Sequence, residues 1–335
     1  MNNNKYFSII GCQHAHIKVF IEDLINLGYK CAGIYPYGDS TLAEQISKNY
    51  SIEIVDDYRT LLNESIEIVG CSAINNEKID IVEICESYNK NIMLDKPVIT
   101  NWKDYERLEK VINRNKIEIG LLLTERFRPE IYNLKKIIDS KELGEIVSIQ
   151  MRKPHLLNVE TRPLWHFSKE KSGGIIIDLF IHDFDLLRWF TNAEISNSYG
   201  FVSKNILENY PDFYDTALAQ VKMEDGIIAS LYADWHTASK SWTWGDCRIY
   251  VTGTKGSAEA RLEGDPFIQK EGLLIVVTDN AEAKKIKCNE LKNTITKDFI
   301  NRLNREKHMI THSDILSTVY ATLKTEENMQ YLNNL

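Results

Sequence analysis

The feature that most narrows the fold is a regular alternation, up to residue 123, of short Ile- and Val-rich runs with segments of helical period. Residues 6–10 are apolar and stop at Gly11. Ile17, Phe20, Ile21, Leu24 and Ile25 then recur at the three- and four-residue spacing of one helix face, with Gly28 placed as a C-terminal cap. The same pattern predicts strands over 29–35, 52–55, 66–73, 91–94 and 117–123, and helices over 41–48, 58–62, 78–88 and 102–113. Strands this apolar need cover on both faces, and a helix after each strand supplies it. The expected fold class is α/β, with a Rossmann-like doubly wound parallel sheet over residues 1–123. Ligands of such sheets sit at the carboxyl ends of the strands.

Beyond residue 123 the pattern changes. A helix is expected over 129–140, a strand over 145–152 and a long helix over 174–190. Strand-like runs follow at 217–223, 227–235, 247–252, 258–262 and 273–278, separated by turns such as Glu224-Asp225-Gly226 and Gly253-Thr254-Lys255-Gly256. Strands without helices between them predict an open, mostly antiparallel sheet with the long helix on one face. Residues 124–335 therefore read as a second, α+β domain.

Composition excludes some partners. Lys and Arg number 40 against 48 Asp and Glu, a net charge of −8, with no basic stripe, so nucleic acid is not expected. The apolar run after Lys5 is too short for a secretory signal and nowhere do ~18 apolar residues run together, so the expectation is a cytoplasmic protein with no membrane partner. The six cysteines show no CxxC spacing and read as free thiols.

The turn after the first strand is Gly11-Cys12-Gln13-His14-Ala15-His16. A dinucleotide fingerprint places three glycines here. Gly11 keeps the tight turn, while Gln13 and His16 stand at the other two positions. The preceding strand, the following helix and the N–H groups at its start still suit a phosphate, so Gly11, Gln13, His14, Ala15 and His16 are candidate NAD or NADP contacts. Asp39, four residues past the end of the second strand, is the candidate for the ribose hydroxyls, in a register that leaves NAD against NADP open. His14 and His16 have no carboxylate near them in sequence, and no metal is expected.

Two further segments carry chemistry. Asp95-Lys96-Pro97 closes a strand and places Lys96 at the carboxyl edge of the sheet, where an ammonium can bond a hydroxyl and favour its ionisation. The helix starting at Gly173-Gly174 carries Asp178, His182 and Asp185 on one face and apolar residues over most of the remainder. Asp178 and His182, one turn apart, can form a base and its orienting partner.

These motifs resemble those of the Gfo/Idh/MocA oxidoreductases, among them inositol dehydrogenases and glucose–fructose oxidoreductase. The likeness lies in Asp95-Lys96-Pro97, in Gly173 through Asp185, in Glu125-Arg126-Phe127, in Arg162-Pro163-Leu164-Trp165-His166, and in shorter stretches including Tyr214-Asp215-Thr216 and the tail around residues 311–325. It implies hydride transfer between NAD or NADP and a secondary alcohol of a sugar, cyclitol or sugar derivative. Lys96, Asp178 and His182 would be catalytic, with Arg126, Arg162, Trp165 and His166 as further substrate contacts. It also implies that the second domain binds substrate and forms homodimers or homotetramers through its sheet. The alternatives weighed beside it are glycoside cleavage through transient oxidation, and a non-catalytic sugar- or nucleotide-sensing protein.

Overall fold

The computed structural model describes residues 5–334. The chain forms two compact units, the first running to Leu122 and taking in Glu170–Gly173 and Asn293–Val319, the second comprising Leu123–Lys169, Gly174–Lys292 and the segment from Tyr320 onward.

In the first unit, β1 (Tyr6–Cys12), α1 (Ile17–Asn26), β2 (Lys30–Tyr35), α2 (Thr41–Tyr50), β3 (Ile66–Ser72), α3 (Lys78–Ser87), β4 (Asn91–Leu94), α4 (Trp102–Arg114) and β5 (Ile119–Leu121) follow one another. The sheet order is β2-β1-β3-β4-β5 and every pair is parallel. This is the Rossmann-like alternation expected, with β1 and β3 adjacent at the point where the winding reverses. The third glycine of a fingerprint normally lets the first helix close on the sheet. Here Gly70 of β3 serves that contact: a Cβ there would stand 2.3 Å from the Phe20 ring of α1.

One expected strand is absent. Residues 52–55 make a single bridge, Ile54 to Ile34, in which Ile34 N donates to Glu53 O at 2.8 Å and Val55 N to Ile34 O at 2.9 Å. The run is cut short on both sides, by left-handed Ser51 (φ 55°) and by Asp57, which caps the turn Tyr58–Leu62.

The second unit opens with α5 (Pro129–Asp139) and β6 (Ile146–Pro154). A short turn α6 (Lys169–Ser172), of which all but Lys169 belongs with the first unit, precedes α7 (Gly174–Thr191). The remaining strands are β7 (Ile195–Lys204), β8 (Thr216–Met223), β9 (Ile228–Asp234), β10 (Arg248–Gly253), β11 (Gly256–Arg261), β12 (Leu273–Thr278) and β13 (Ala281–Ile286). With β14 (Met329–Asn333) they form a nine-stranded sheet in the order β13-β12-β11-β10-β6-β9-β8-β7-β14, antiparallel except for β6 with β9 and β7 with β14. Ile176, Phe180, Phe184 and Leu187 of α7 join Met151, Ala219, Leu231 and Val251 of the sheet in one buried cluster. On the other side of the pleat, Tyr199, Phe201, Leu218, Ile228 and Tyr250 are exposed.

After β13, α8 (Ile295–Leu303) and the first half of α9 (His312–Glu327) belong with the first unit. They close the free edge of β5 with side chains instead of another strand. Ile119 N donates to His312 Nε2 at 3.0 Å, and the Arg302 guanidinium donates to Ile119 O and, at 3.1 Å, to Ile310 O. Among the described residues, no helix is long and apolar enough to cross a membrane.

His312 must be neutral to accept that bond. Burial, with Arg302 close by, pushes it down to about 4. Because its folded pKa lies below the unfolded one, its stabilising effect is complete above about pH 6.5 and is lost as pH falls toward about 4. A His312→Gln variant is expected to keep more of its neutral-pH stability at pH 5 than the wild type does, read from urea midpoints at about pH 7 and about pH 5.

Candidate functional site

Gly11 is forced by its surroundings: its φ is +88° and a Cβ would stand 2.7 Å from the Ala73 Cβ. The loop beyond it is held from within. Gln13 N and His14 N both donate to Ser72 O at the end of β3, at 2.9 and 3.1 Å, and Ser72 Oγ donates to His14 O. The Gln13 amide donates to Pro36 O and Asp39 O and accepts from Cys12 N, so it ties the loop to the segment after β2. Asp39 is exposed and its carboxylate accepts from Thr41 N at the start of α2. The expectation that the loop amides are free for a phosphate is therefore corrected at Gln13 and His14, whose N–H groups are used inside the protein. Ala15 and His16 are exposed just before α1.

The structure also corrects the view that the two histidines lack a carboxylate. Asp95, at the carboxyl end of β4 and 2% exposed, lies behind both. His16 Nδ1 is hydrogen-bonded to Asp95 Oδ1 at 2.8 Å and His14 Nδ1 lies 2.7 Å from Oδ2, with the rings edge-on at 4.2 Å between centroids. Burial opposes the Asp95 charge, but the imidazoles of His16 and His14 and the Lys78 ammonium outweigh it and hold the carboxyl well below its usual range. Burial pushes His14 down, against the pull of Asp95. The three donor atoms lie within 4.8 Å of one another, a spacing that could hold a metal ion. The Lys78 ammonium, 4.0 Å from Asp95 Oδ2, and Lys96 next in sequence both oppose a dication there.

Lys78 is the residue that sequence reasoning missed. It is fully buried and donates to Asn75 Oδ1 at 2.8 Å and to Asp95 O and Pro97 O, both at 2.9 Å. It thus grips the two carbonyls that flank Lys96. Lys96 itself is 8% exposed, and its peptide bond to Pro97 is cis. The available signal was a lysine opening a helix directly after Asn75-Asn76-Glu77, which reads equally well as a solvated helix start.

In the second unit, α7 is buried from Ile175 to Leu187 except at Asp178, which is half-buried, and His182 is 9% exposed. The other acids of the helix are held in ion pairs. Arg126, 1% exposed, grips Asp185 with two N–H groups at 2.9 and 2.5 Å and lies over the Trp189 ring. Lys153 of β6 lies 3.1 Å from Asp183. Arg126, expected as a substrate contact, is thus a buried structural cation. Arg162 stacks over Trp235 and Trp244, 4.6 and 5.5 Å from their centroids, and donates to Leu157 O. Burial pushes its pKa down, and Asp178 acts in the opposite sense. His166 is buried edge-on against Trp235 and packs beside Phe167 and Phe213, while Trp165 is half-buried. Arg162 and Asp178 are therefore the expected residues that the unit brings into electrostatic contact, and His166 goes to an aromatic cluster.

Comparison with known proteins adds three findings. Residues 131–259 match the family described as the GFO/IDH/MocA C-terminal domain. The chain is 28% identical over 221 residues to a scyllo-inositol 2-dehydrogenase (NAD(+)) of Bacillus subtilis, covering 64% of this chain and 61% of that protein. It is 24% identical over 209 residues to a myo-inositol 2-dehydrogenase of Thermotoga maritima, covering 60% and 58%. The matched part thus spans about three fifths of these relatives' length. In fold, it superposes on the crystal structure of myo-inositol 2-dehydrogenase from Lactobacillus plantarum with a TM-score of 0.78 at 20% identity, covering 97% of each chain.

Replacing Lys78 by Met leaves two buried carbonyls and Asp95 without that cation. The expected loss is about 3 kcal/mol of stability, measured by urea unfolding. An unchanged midpoint would show that the ammonium does not hold the Lys96 turn.

Proposed function

We propose that this chain is a member of the GFO/IDH/MocA family, to which residues 131–259 and its inositol dehydrogenase relatives point, and that it is an NAD- or NADP-dependent oxidoreductase that transfers a hydride to or from a secondary alcohol of a sugar, cyclitol or sugar derivative. The observation that carries the reading is α7. Its four acidic or imidazole groups before Arg188 are Asp178, His182, Asp183 and Asp185; Asp183 lies against Lys153 and Asp185 against Arg126, and Asp178 and His182 stand one turn apart on the same helix. The names of the inositol dehydrogenases among its relatives support a polyhydroxylated substrate.

Residues 1–123, which the segments Glu170–Gly173 and Asn293–Val319 join in the first unit, are assigned to the cofactor, and the rest of 124–335 to the substrate and to assembly. Gly11, Gln13, His14, Ala15, His16, Asp39 and Lys96 would hold the dinucleotide, Gln13 by fixing the loop. The nicotinamide, when bound, supplies the hydride donor or acceptor. His182 takes the hydroxyl proton at its imidazole, and Asp178 orients that ring and offsets the charge it gains. Lys96 is the third catalytic candidate, an ammonium that can bond a hydroxyl and lower its pKa. Arg162 and Trp165 are the substrate contacts kept from the sequence, Arg162 through its donors beside Asp178.

His182→Ala is expected to lose turnover by at least ~100-fold with dinucleotide affinity unchanged, measured by steady-state kinetics and nucleotide titration. Undiminished turnover would remove His182 from the mechanism. The exposed apolar face of the nine-stranded sheet is assigned to a homodimer or homotetramer. Phe201→Glu is expected to shift the protein to monomer in analytical ultracentrifugation, and a wild type that sediments as monomer would refute this.

A further inference from the structure

The loop after β1 has lost two fingerprint glycines, and two of its amides are engaged by Ser72 O. What the loop presents instead is the pair His14 and His16 over a buried carboxylate. We propose that these two imidazoles, backed by Asp95, are the groups that recognise the dinucleotide's pyrophosphate, and that they do so as imidazolium ions, so that cofactor binding takes up protons. This rests on the cofactor reading above and names how that site works in this chain.

The argument is one of hydrogen-bond valence. A carboxylate only accepts, so the Nδ1 of His16, bonded to Asp95 Oδ1, carries its proton. The Nδ1 of His14, 2.7 Å from Oδ2, must carry one as well, because two bare lone pairs at that distance repel. In the neutral ring the proton on Nδ1 leaves Nε2 as an acceptor, on the side of the ring away from Asp95. A phosphate diester also only accepts. A neutral histidine so placed therefore repels the ligand, while the imidazolium donates to it from Nε2 and adds charge.

The surroundings favour an anion over a cation. The charged and titratable groups near the pair include Asp95 and Lys96 after β4, Lys78 and Glu77 at the start of α3, Lys18 in the first turn of α1 and the Cys12 and Cys71 thiols. Burial pushes Cys71 up to about 12, so it stays uncharged. The two carboxylates, Asp95 and Glu77, then face three lysines, Lys18, Lys78 and Lys96, before either ring is protonated. The N-terminus of the ten-residue helix α1, with no acid in its first turn, adds to the same sign. His14, pushed down by burial, is the ring that must gain a proton on binding. Affinity should accordingly rise as pH falls and weaken as pH rises, the reverse of a site built on backbone amides, which do not titrate.

The test uses NADH, whose pyrophosphate is a diester with no proton to lose near neutrality. Binding to the full-length protein is measured calorimetrically from about pH 6 to about pH 9, in paired buffers of different ionisation enthalpy. The expected result is uptake of about one to two protons per NADH bound near pH 7.5, with Kd rising about tenfold per pH unit for each proton taken up. His14→Gln and His16→Gln, folded by circular dichroism, should each bind NADH at least about tenfold more weakly near pH 6.5 and show a flatter pH dependence. His16→Arg, which keeps a cation at the half-exposed position, should restore affinity with less proton uptake. Tight NADH binding with no proton uptake, and unaffected by both glutamine variants, would overturn this inference and leave the cofactor reading standing. Failure to bind NADH or NADPH at any pH would overturn both.

Discussion

The first unit is organised around one buried carboxylate. Asp95 ends β4 in a place from which its charge reaches the loop after β1, the start of α3 and the turn that carries Lys96. Burial alone would neutralise it. It stays ionised because His14, His16 and Lys78 converge on it from two separate elements. The carboxylate in turn fixes the ring orientation of both histidines, and the lysine fixes the backbone on either side of Lys96. The shape of the phosphate loop and the position of Lys96 are therefore set by a single electrostatic knot, where a glycine-rich fingerprint would rely on backbone approach.

The second unit solves a related problem differently. A helix as apolar as α7 packs well on the sheet but carries Asp178, Asp183 and Asp185 into the interior. Two of these charges are met by cations from neighbouring elements, Lys153 on β6 and Arg126 ahead of α5. Asp178 keeps partial access to solvent and feels Arg162, whose guanidinium lies over the Trp235 and Trp244 rings. Asp183 and Asp185 thus have cations against them inside the unit, while Asp178 stands nearer solvent.

Much of this was legible in the sequence, for physical reasons that can be named. Strands β1, β3 and β4 are apolar on both faces and stand between helices with clear apolar stripes, so the parallel sheet reads directly. The run at 52–55 has the right residue types but too little length between Ser51 and Asp57 to pair for more than one residue. Strand β7 was missed because three of its inward positions, Ser198, Gly200 and Lys204, are polar or small, and β13 because all but its last residue is exposed. The role of Lys78 was hidden because its partners are carbonyls, which no side-chain pattern records. His14 and His16 were visible, but their meaning depends on Asp95, 79 residues from His16 in sequence. Arg126 shows the opposite failure: it lies in a motif that resembles a substrate-binding segment, and its charge is taken up by Asp185.

The central claim is that the chain oxidises or reduces a hydroxyl-bearing small molecule with a nicotinamide dinucleotide. Its most direct test is the near-ultraviolet absorbance of purified protein with NAD or NADP while cyclitols, aldoses and their acids are added in turn. At least one should produce reduced nicotinamide in stoichiometric amount. Tight binding of a sugar with neither nucleotide bound nor reduced, across the panel, would contradict the claim and leave the chain a binding protein built on this fold.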